Sequence, residues 1–360
     1  MAASRSRQEK ERPLCYWPWR GPARGVGQRM SVRQPTAAHN RGVTHMNTSM
    51  TAVASRALRV EKGLVHKHDA GQVLLSGLTR LGQDEFLIGA DWTDTAGLGD
   101  GAVLLTETIR QTFPLLSHAG YDVPFGHRLA WSEYRYALNL PSLRENGIGG
   151  RPDLHIRCYD VIRRRERVTG LSLHITVVRD GVQLATAHTR FTIQPPAIYD
   201  RLRGARGDAY RMLELARSRP LPPPVAGAGV GEEFRDVVLS PTDATDRWQL
   251  RIDTHHPMYF DHPSDHAPGI LLLEAAKQAV RTLRHPRVGV AEAMETVFHR
   301  YVELDSPCWV DAQLLPDDQL GRARFLVTMH QEGRLCFTAL VSVAKQEQEQ
   351  EQERSRPTAG

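Results

Sequence analysis

Cysteine is scarce in this chain: only Cys15, Cys158, Cys308 and Cys336, with no CxxC pair among them. That spacing suggests neither a zinc site nor a disulfide framework, and it suits a reducing cytoplasm. Long apolar runs are missing as well. No stretch of some twenty apolar residues occurs, so no membrane-spanning helix is predicted. The N-terminus carries Arg and Lys but lacks the continuous apolar segment of a secretory signal. Nor does the chain hold a glycine-rich phosphate loop, a metal-spaced His/Cys cluster or a Ser/His/Asp arrangement, so neither cofactor nor metal is expected.

What is present is ordinary for a soluble globular protein with room for two cores: 360 residues, 41% hydrophobic and 24% charged. The formal charge is +5 and the pI about 9.1. Much of the excess lies in Arg5, Arg7, Lys10, Arg12, Arg20, Arg24, Arg29 and Arg33, interspersed with Gly and Pro. Residues 1–57 therefore read as a flexible, solvated extension rather than a nucleic-acid-binding arm, with Met30 and Met46 as alternative starts. Neither nucleic acid nor a membrane is expected as a partner.

One stretch dominates the rest. FDHPSDHAPGILLLEAAKQAV, Phe260 to Val280, runs from Pro-punctuated turns into a segment apolar nearly all round, the pattern of a buried helix. Inside it sits Glu274, with Lys277 and Gln278 one turn on. A carboxylate there is costly unless paired, hydrogen-bonded or neutral, although a Glu reaching water from a helix edge is the plainer reading. The pattern recurs at VLLTETIRQTFPLL, Val103 to Leu116, as Glu107, Arg110 and Gln111. VLLS followed by DEFLIGADW upstream matches VVLS followed by DRWQLRIDT, and VVRDGVQLATAHTRF downstream matches TMHQEGRLCFTALVSV. Each downstream copy reads as two strands joined by a Gly-containing turn. A repeat of roughly 150 residues fits a duplicated domain rather than a solenoid.

In order, strands are predicted at Phe86 to Trp92, across HRLAWSEYRYAL, at Leu154 to Val161 and at Leu171 to Arg179, with RRRER as a solvated turn. Arg201 to Arg217 is helical in character, and RPLPPPVAGAGVG is a linker. The second unit reads as two strands, the Pro-Gly loop, the long helix to about Arg284 and three further strands through Val343; KQEQEQEQERSRPTAG is a polar tail. The expected boundaries are 58–205 and 232–345 for the two units, 206–231 for the helix and linker, and 346–360 for the tail. A helix apolar on all sides must be covered on all sides, which one curved antiparallel sheet per helix achieves. The fold class is α+β, a tandem (double) hotdog with pseudo-two-fold symmetry.

LVHKHDAGQVLLS, VLLTETIRQ, DVPFGHRLAW, RDVVLSPT and RWQLRIDTHHPMYFDHPSDHAPGILLLEAAKQ together resemble the A-factor biosynthesis (AfsA-like) family, over about residues 60–345. HPSDHAPGILLLEA also resembles, more distantly, the Pro-Gly-helix-Glu motif of β-hydroxyacyl-carrier-protein dehydratases. The family resemblance implies γ-butyrolactone signal synthesis: a β-ketoacyl group passes from an acyl carrier protein to the hydroxyl of dihydroxyacetone phosphate, and the ester condenses towards a butenolide phosphate. It would place a His- and Pro-rich run before the first helix, where this chain has TDTAGLGDGA, and Arg where it has Lys277. The two sites are therefore not expected to be equivalent.

Acyl transfer needs a base, an oxyanion site and an acceptor anchor. Glu107 and Glu274, raised in pKa by apolar helices, are the candidate proton acceptors. His262, in the loop feeding the second helix, is the candidate acid/base histidine facing Glu107 across the units; His255, His256 and His266 compete for that role. Gly269 would let a thioester approach the unsatisfied N–H groups at the helix start. Arg110 and Lys277 would bind the acceptor phosphate, although a simple ion pair with the Glu one turn back fits equally well. Gln111 and Gln278 read as hydrogen-bond partners, and Trp92, Trp131, Trp248 and Trp309 as core or acyl-tunnel wall. The alternatives are a hotdog thioesterase or dehydratase, which needs no phosphorylated acceptor, and a non-catalytic acyl-carrier-binding protein. Whether copies assemble into a homo-oligomer is open at this level.

Overall fold

The computed structural model describes residues 58–93, 101–226, 235–285 and 289–344. The basic N-terminal extension, most of the TDTAGLGDGA loop, the Gly-rich end of the linker and the C-terminal tail fall outside those residues, as does Cys15.

The first half opens with three strands: β1 (Leu58–Arg59), β2 (Leu75–Arg80) and β3 (Glu85–Ala90). Helix α1 (Gly101–Leu115) follows, with every residue from Ala102 to Leu115 except Arg110 buried. It passes into a π-helical turn over Leu116–Gly120. Pro114 sits just before that turn; having no N–H, it cannot donate to the carbonyl four residues back, which fits a loosened helix end. Then come β4 (Arg128–Leu138), a short α2 (Leu140–Asn146), β5 (Asp153–Arg164), β6 (Arg167–Arg179) and β7 (Val182–Gln194). The RRRER turn is as expected, with Arg165 and Glu166 at φ 47° and 64°. Positive φ at both central residues suits the twist of a two-residue hairpin, and Asp180-Gly181 and Glu332-Gly333 do the same at two others.

Two helices cross between the halves: α3 (Pro196–Arg203) and α4 (Ala209–Arg217). The second half repeats the plan with β8 (Leu239–Pro241), β9 (Arg247–Leu250) and α5 (Gly269–Arg284), buried from Ile270 to Val280. Four strands follow rather than three: β10 (Ala291–Phe298), β11 (Cys308–Leu315), β12 (Ala323–Gln331) and β13 (Arg334–Val343). Of the four, β10 has the weakest strand pattern. Its AEAMETVF sequence carries Glu292 and Glu295, which blur the apolar alternation of a strand.

All strands join one antiparallel sheet in the order β1-β2-β3-β5-β6-β7-β4-β10-β13-β12-β11-β9-β8. β10 is its hinge, pairing with β13 on one side and across to β4 on the other, Thr296 opposite Tyr134. The pseudo-two-fold axis lies between β4 and β10, and each arm of the sheet curls over its own helix. This is the tandem arrangement that the repeat implied. Cys158, Cys308 and Cys336 are buried free thiols, so among the described residues no disulfide supplements the core. Among the described residues no helix is long and apolar enough to cross a membrane.

Candidate active site

The repeated helices carry matching hydrogen-bond sets. On α1, Gln111 Nε2 donates to the carbonyl of Gln72 at 2.8 Å and to Glu107 Oε1 at 2.9 Å, while its Oε1 accepts from Leu74 N at 2.9 Å. On α5, Gln278 donates to the carbonyl of Asp236 at 2.8 Å and to Glu274 Oε1 at 3.1 Å, and accepts from Val238 N at 2.8 Å. Each glutamine thus ties the segment entering its half's strands to the helix. The expected role of both is what the geometry gives.

Around the two glutamates the halves differ. Arg110 grips Glu107 with Nε and Nη2, both at 2.8 Å, and Lys67 Nζ adds a third cationic contact at 3.1 Å. Lys67 is also tied to Gln72 Oε1 at 2.9 Å. Glu274 meets Lys277 Nζ at 2.6 Å and Arg281 at 3.7 Å. The expectation of a raised Glu107 pKa does not hold. Burial pushes the carboxyl up, but the charge and paired hydrogen bonds of Arg110, with Lys67 and Gln111, outweigh it and bring it down to about 2. A carboxylate so held is a poor proton acceptor near neutrality. Its effect is to fix Arg110, whose side chain keeps 22% of its surface exposed and also feels the charge of Asp261.

Arg110 lines a cavity of about 460 Å³ between the halves. His66 and Lys67 come to it from the first half, and the loop before α5 brings Asp261, His262 and His266. That loop is fastened across the halves: Asp261 accepts from the backbone of His68 at 2.8 Å and Asp69 at 3.3 Å, and Gln72 Nε2 donates to the carbonyl of Pro257 at 3.2 Å. His262, its side chain 51% exposed, stands 3.6 Å from Asp261. Burial and the nearby Arg110 lower its pKa despite the opposing Asp261, so the ring is neutral at pH 7. His262 and Arg110 both line the cavity, whereas Glu107, which His262 was expected to face, does not. His255 is exposed, and His256 is turned to Asp236 at 3.0 Å. Glu274 and Lys277 are not among the residues lining this cavity.

His66 is a site residue the sequence reading missed. It adopts left-handed backbone geometry, φ 54°, which is uncommon for a non-glycine and tends to mark functional loops. Its Nε2 is 2.8 Å from Nε2 of His118, and burial with that neighbour brings its pKa down to about 3. No periodicity points to His66, Lys67 or Asp261; the basic triplet His66-Lys67-His68 beside a turn is the only local signal.

The remaining wall is aromatic. Trp131 stacks on Phe298 at 5.1 Å and meets Phe113 edge-on at 5.2 Å. Trp131 is thus both core and cavity wall. Gly269 meets a packing demand beside the one expected: a Cβ there would fall 2.8 Å from Trp131 Cε3 and 3.2 Å from Phe298 Cε1. The missing side chain makes room for the Trp131 ring. The N–H groups of Gly269 and Ile270 still precede the first bonds of α5, which run from Leu271 and Leu272 to the Pro268 carbonyl.

Two antiparallel arms, each curled over a buried helix, with a polar and aromatic cavity where they meet, define a double hotdog protein. Residues 48–195 and 214–344 match the A-factor biosynthesis hotdog domain, and the chain belongs to that family. Similar over most of their lengths are two proteins named 2-oxo-3-(phosphooxy)propyl 3-oxoalkanoate synthase. The one from Streptomyces virginiae is 37% identical, over 78% of this chain and 96% of its own. The one from Streptomyces coelicolor is 34% identical, over 81% and 93%. Among solved structures, the 12:0-ACP thioesterase from Umbellularia californica aligns with a TM-score of 0.42 at 10% identity, over 74% of this chain and all of that one.

Proposed function

We propose that this protein is an acyltransferase of A-factor-type γ-butyrolactone synthesis, acting in the cytoplasm. It moves a β-ketoacyl group from an acyl carrier protein to the hydroxyl of dihydroxyacetone phosphate, giving an ester that condenses towards a butenolide phosphate. The observation that carries this reading is Arg110, locked by Glu107 yet open to the cavity beside a neutral His262. An anchored guanidinium next to a neutral imidazole suits a phosphorylated alcohol: the phosphate sits on Arg110 and the hydroxyl gives its proton to His262. The names of the relatives, which contain both a phosphooxypropyl and a 3-oxoalkanoate part, agree with that pairing.

The acyl chain runs along Phe113, Trp131 and Phe298, and the thioester oxygen takes the N–H groups of Gly269 and Ile270. Glu107 positions rather than titrates. Glu274 and Lys277 do the corresponding job in the other half, where they hold each other.

The test is purified protein with a β-ketoacyl carrier thioester, with and without dihydroxyacetone phosphate, read by mass spectrometry beside Arg110→Gln, Glu107→Gln and Glu274→Gln. An ester that requires the acceptor, with the KM for that acceptor raised about tenfold or more in Arg110→Gln, supports the reading. Release of free β-keto acid whether or not acceptor is present replaces it with a thioesterase. Binding of the carrier without turnover leaves a non-catalytic binding protein.

A further inference from the structure

The proposed transfer leaves one proton unassigned, the one that the departing carrier thiol takes up. His266 lines the same cavity, close to the start of α5 and so to the thioester end. It is held on two sides. Its Nδ1 lies 2.7 Å from Asp265 Oδ1, and its ring meets Tyr301 edge-on at 4.6 Å.

Asp265 is immobilised in turn. The Tyr199 hydroxyl lies 2.8 Å from each of its oxygens, Arg203 Nε donates to Oδ2 at 2.9 Å, and Arg203 Nη2 donates to its backbone carbonyl at 3.1 Å. Arg203 is paired with Glu303 at 2.6 and 2.7 Å, and the Gln331 side chain clamps the Glu303 backbone at 2.8 and 2.9 Å. Burial alone would push the Asp265 carboxyl up, but its bonds with His266, Tyr199 and Arg203 hold it well below the usual range, so it remains an anion. An anion on Nδ1 fixes that nitrogen as the protonated one and leaves Nε2 to exchange a proton with the cavity. Anchoring the loop would require only the carboxylate and its donors. An oriented imidazole in the cavity wall is the part that anchoring leaves unexplained.

We propose that His266 transfers the proton to the carrier thiol as the C–S bond breaks, with Asp265, Tyr199 and Arg203 as its positioning residues. The inference rests on the acyl-transfer reading above. The acceptor oxygen bonds to the thioester carbon and its proton goes to His262; the C–S bond breaks and the sulfur takes the Nε2 proton of His266, which enters the step protonated on both nitrogens and leaves it with Nδ1–H alone. Exchange through solvent returns both rings to their starting states. Two residues of the linker helix α3 thereby belong to the site.

The test varies the leaving group. A β-ketoacyl pantetheine thioester releases an alkyl thiol, whereas the matching thiophenyl thioester releases a far more acidic one that departs without a proton donor. His266→Asn should lower kcat/KM about 100-fold on the pantetheine thioester and less than about 5-fold on the aryl one. His262→Asn should lower both alike. Tyr199→Phe keeps the fold and the carboxylate but loosens the dyad, and should shift the ratio of the two rates in the same direction as His266→Asn. Equal losses on both thioesters in His266→Asn would overturn the assignment. Thiol release from wild type without ester formation would sink the acceptor reading, while the leaving-group comparison still decides the role of His266. A wild type that leaves both thioesters intact would overturn both.

Discussion

Glu107 is one buried anion facing two cations, and its removal has a size that the geometry sets. In Glu107→Gln the bidentate pair with Arg110 and the 3.1 Å contact with Lys67 lose their charge, while Lys67 stays buried. Breaking a buried pair from one side costs about 3–5 kcal/mol. Arg110 can relax into the cavity through its partly exposed side chain, so the lower end applies, about 3 kcal/mol. The carboxyl's own titration gives a second figure. Its fall from the ordinary 4.5 to about 2 corresponds to roughly 3 kcal/mol at about 1.36 kcal/mol per pH unit. The sign follows from the lowered folded-state value: this stabilisation is complete above pH 4.5 and disappears as the pH falls towards 2. Urea unfolding of wild type and Glu107→Gln between pH 7 and pH 2.5 measures both quantities. The variant should be about 3 kcal/mol less stable at pH 7, with the gap closing in the acid window. Adding Lys67→Met should recover part of the loss by removing the unpaired ammonium. A variant within about 1 kcal/mol of wild type at pH 7, or a gap that does not depend on pH, would refute the account of Glu107 as a locked anion.

Gly269→Ala places a methyl 2.8 Å from the Trp131 ring, and the better helix propensity of Ala offsets only part of that overlap. A net loss of about 1–2 kcal/mol in thermal or urea unfolding is expected, together with a raised KM for long-chain thioesters. His66 is held neutral, its folded-state pKa lowered from the ordinary 6.5 to about 3, so protonation of the unfolded chain costs stability as the pH drops from 6.5 towards 3. Replacing it by Gln should flatten the stability profile over that range, and an NMR titration of the wild-type imidazole should show no protonation above about pH 5.

Much of the architecture is legible because it repeats. Leu-Leu-x-Glu with a basic residue and a glutamine one turn later marks both buried helices, and the i to i+3 and i to i+4 spacing alone places the Glu107–Arg110 and Gln111–Glu107 contacts. Arg110, the main cause of the lowered Glu107 pKa, lies one turn away and is placed by the same spacing; Lys67, which adds to it from forty residues upstream, is tied to α1 by no local pattern. The Arg203 pairs with Asp265 and Glu303 are hidden for the same reason, because they join the linker to a loop and a turn far away in the chain. Where one element holds both partners the sequence speaks directly. Where tertiary packing brings them together, only composition is visible. Gly269 is an intermediate case: the residue was singled out, but the packing demand on it comes from the ring of Trp131 on the other half.

The seam between β4 and β10 has a genetic consequence. In a dimer of identical chains every substitution appears twice, so a change that suits one site is imposed on its twin. Here the two halves are drawn from one reading frame and joined by a single uninterrupted ladder of strands, and each can vary alone. One half can keep Arg110 open to a cavity while its counterpart closes Lys277 onto Glu274. The stretch joining the halves can acquire Tyr199 and Arg203 for one loop without a matching pair for the other. A mutational scan should therefore find corresponding positions in the two halves tolerating different residues, a freedom that a symmetric dimer of single units would not have.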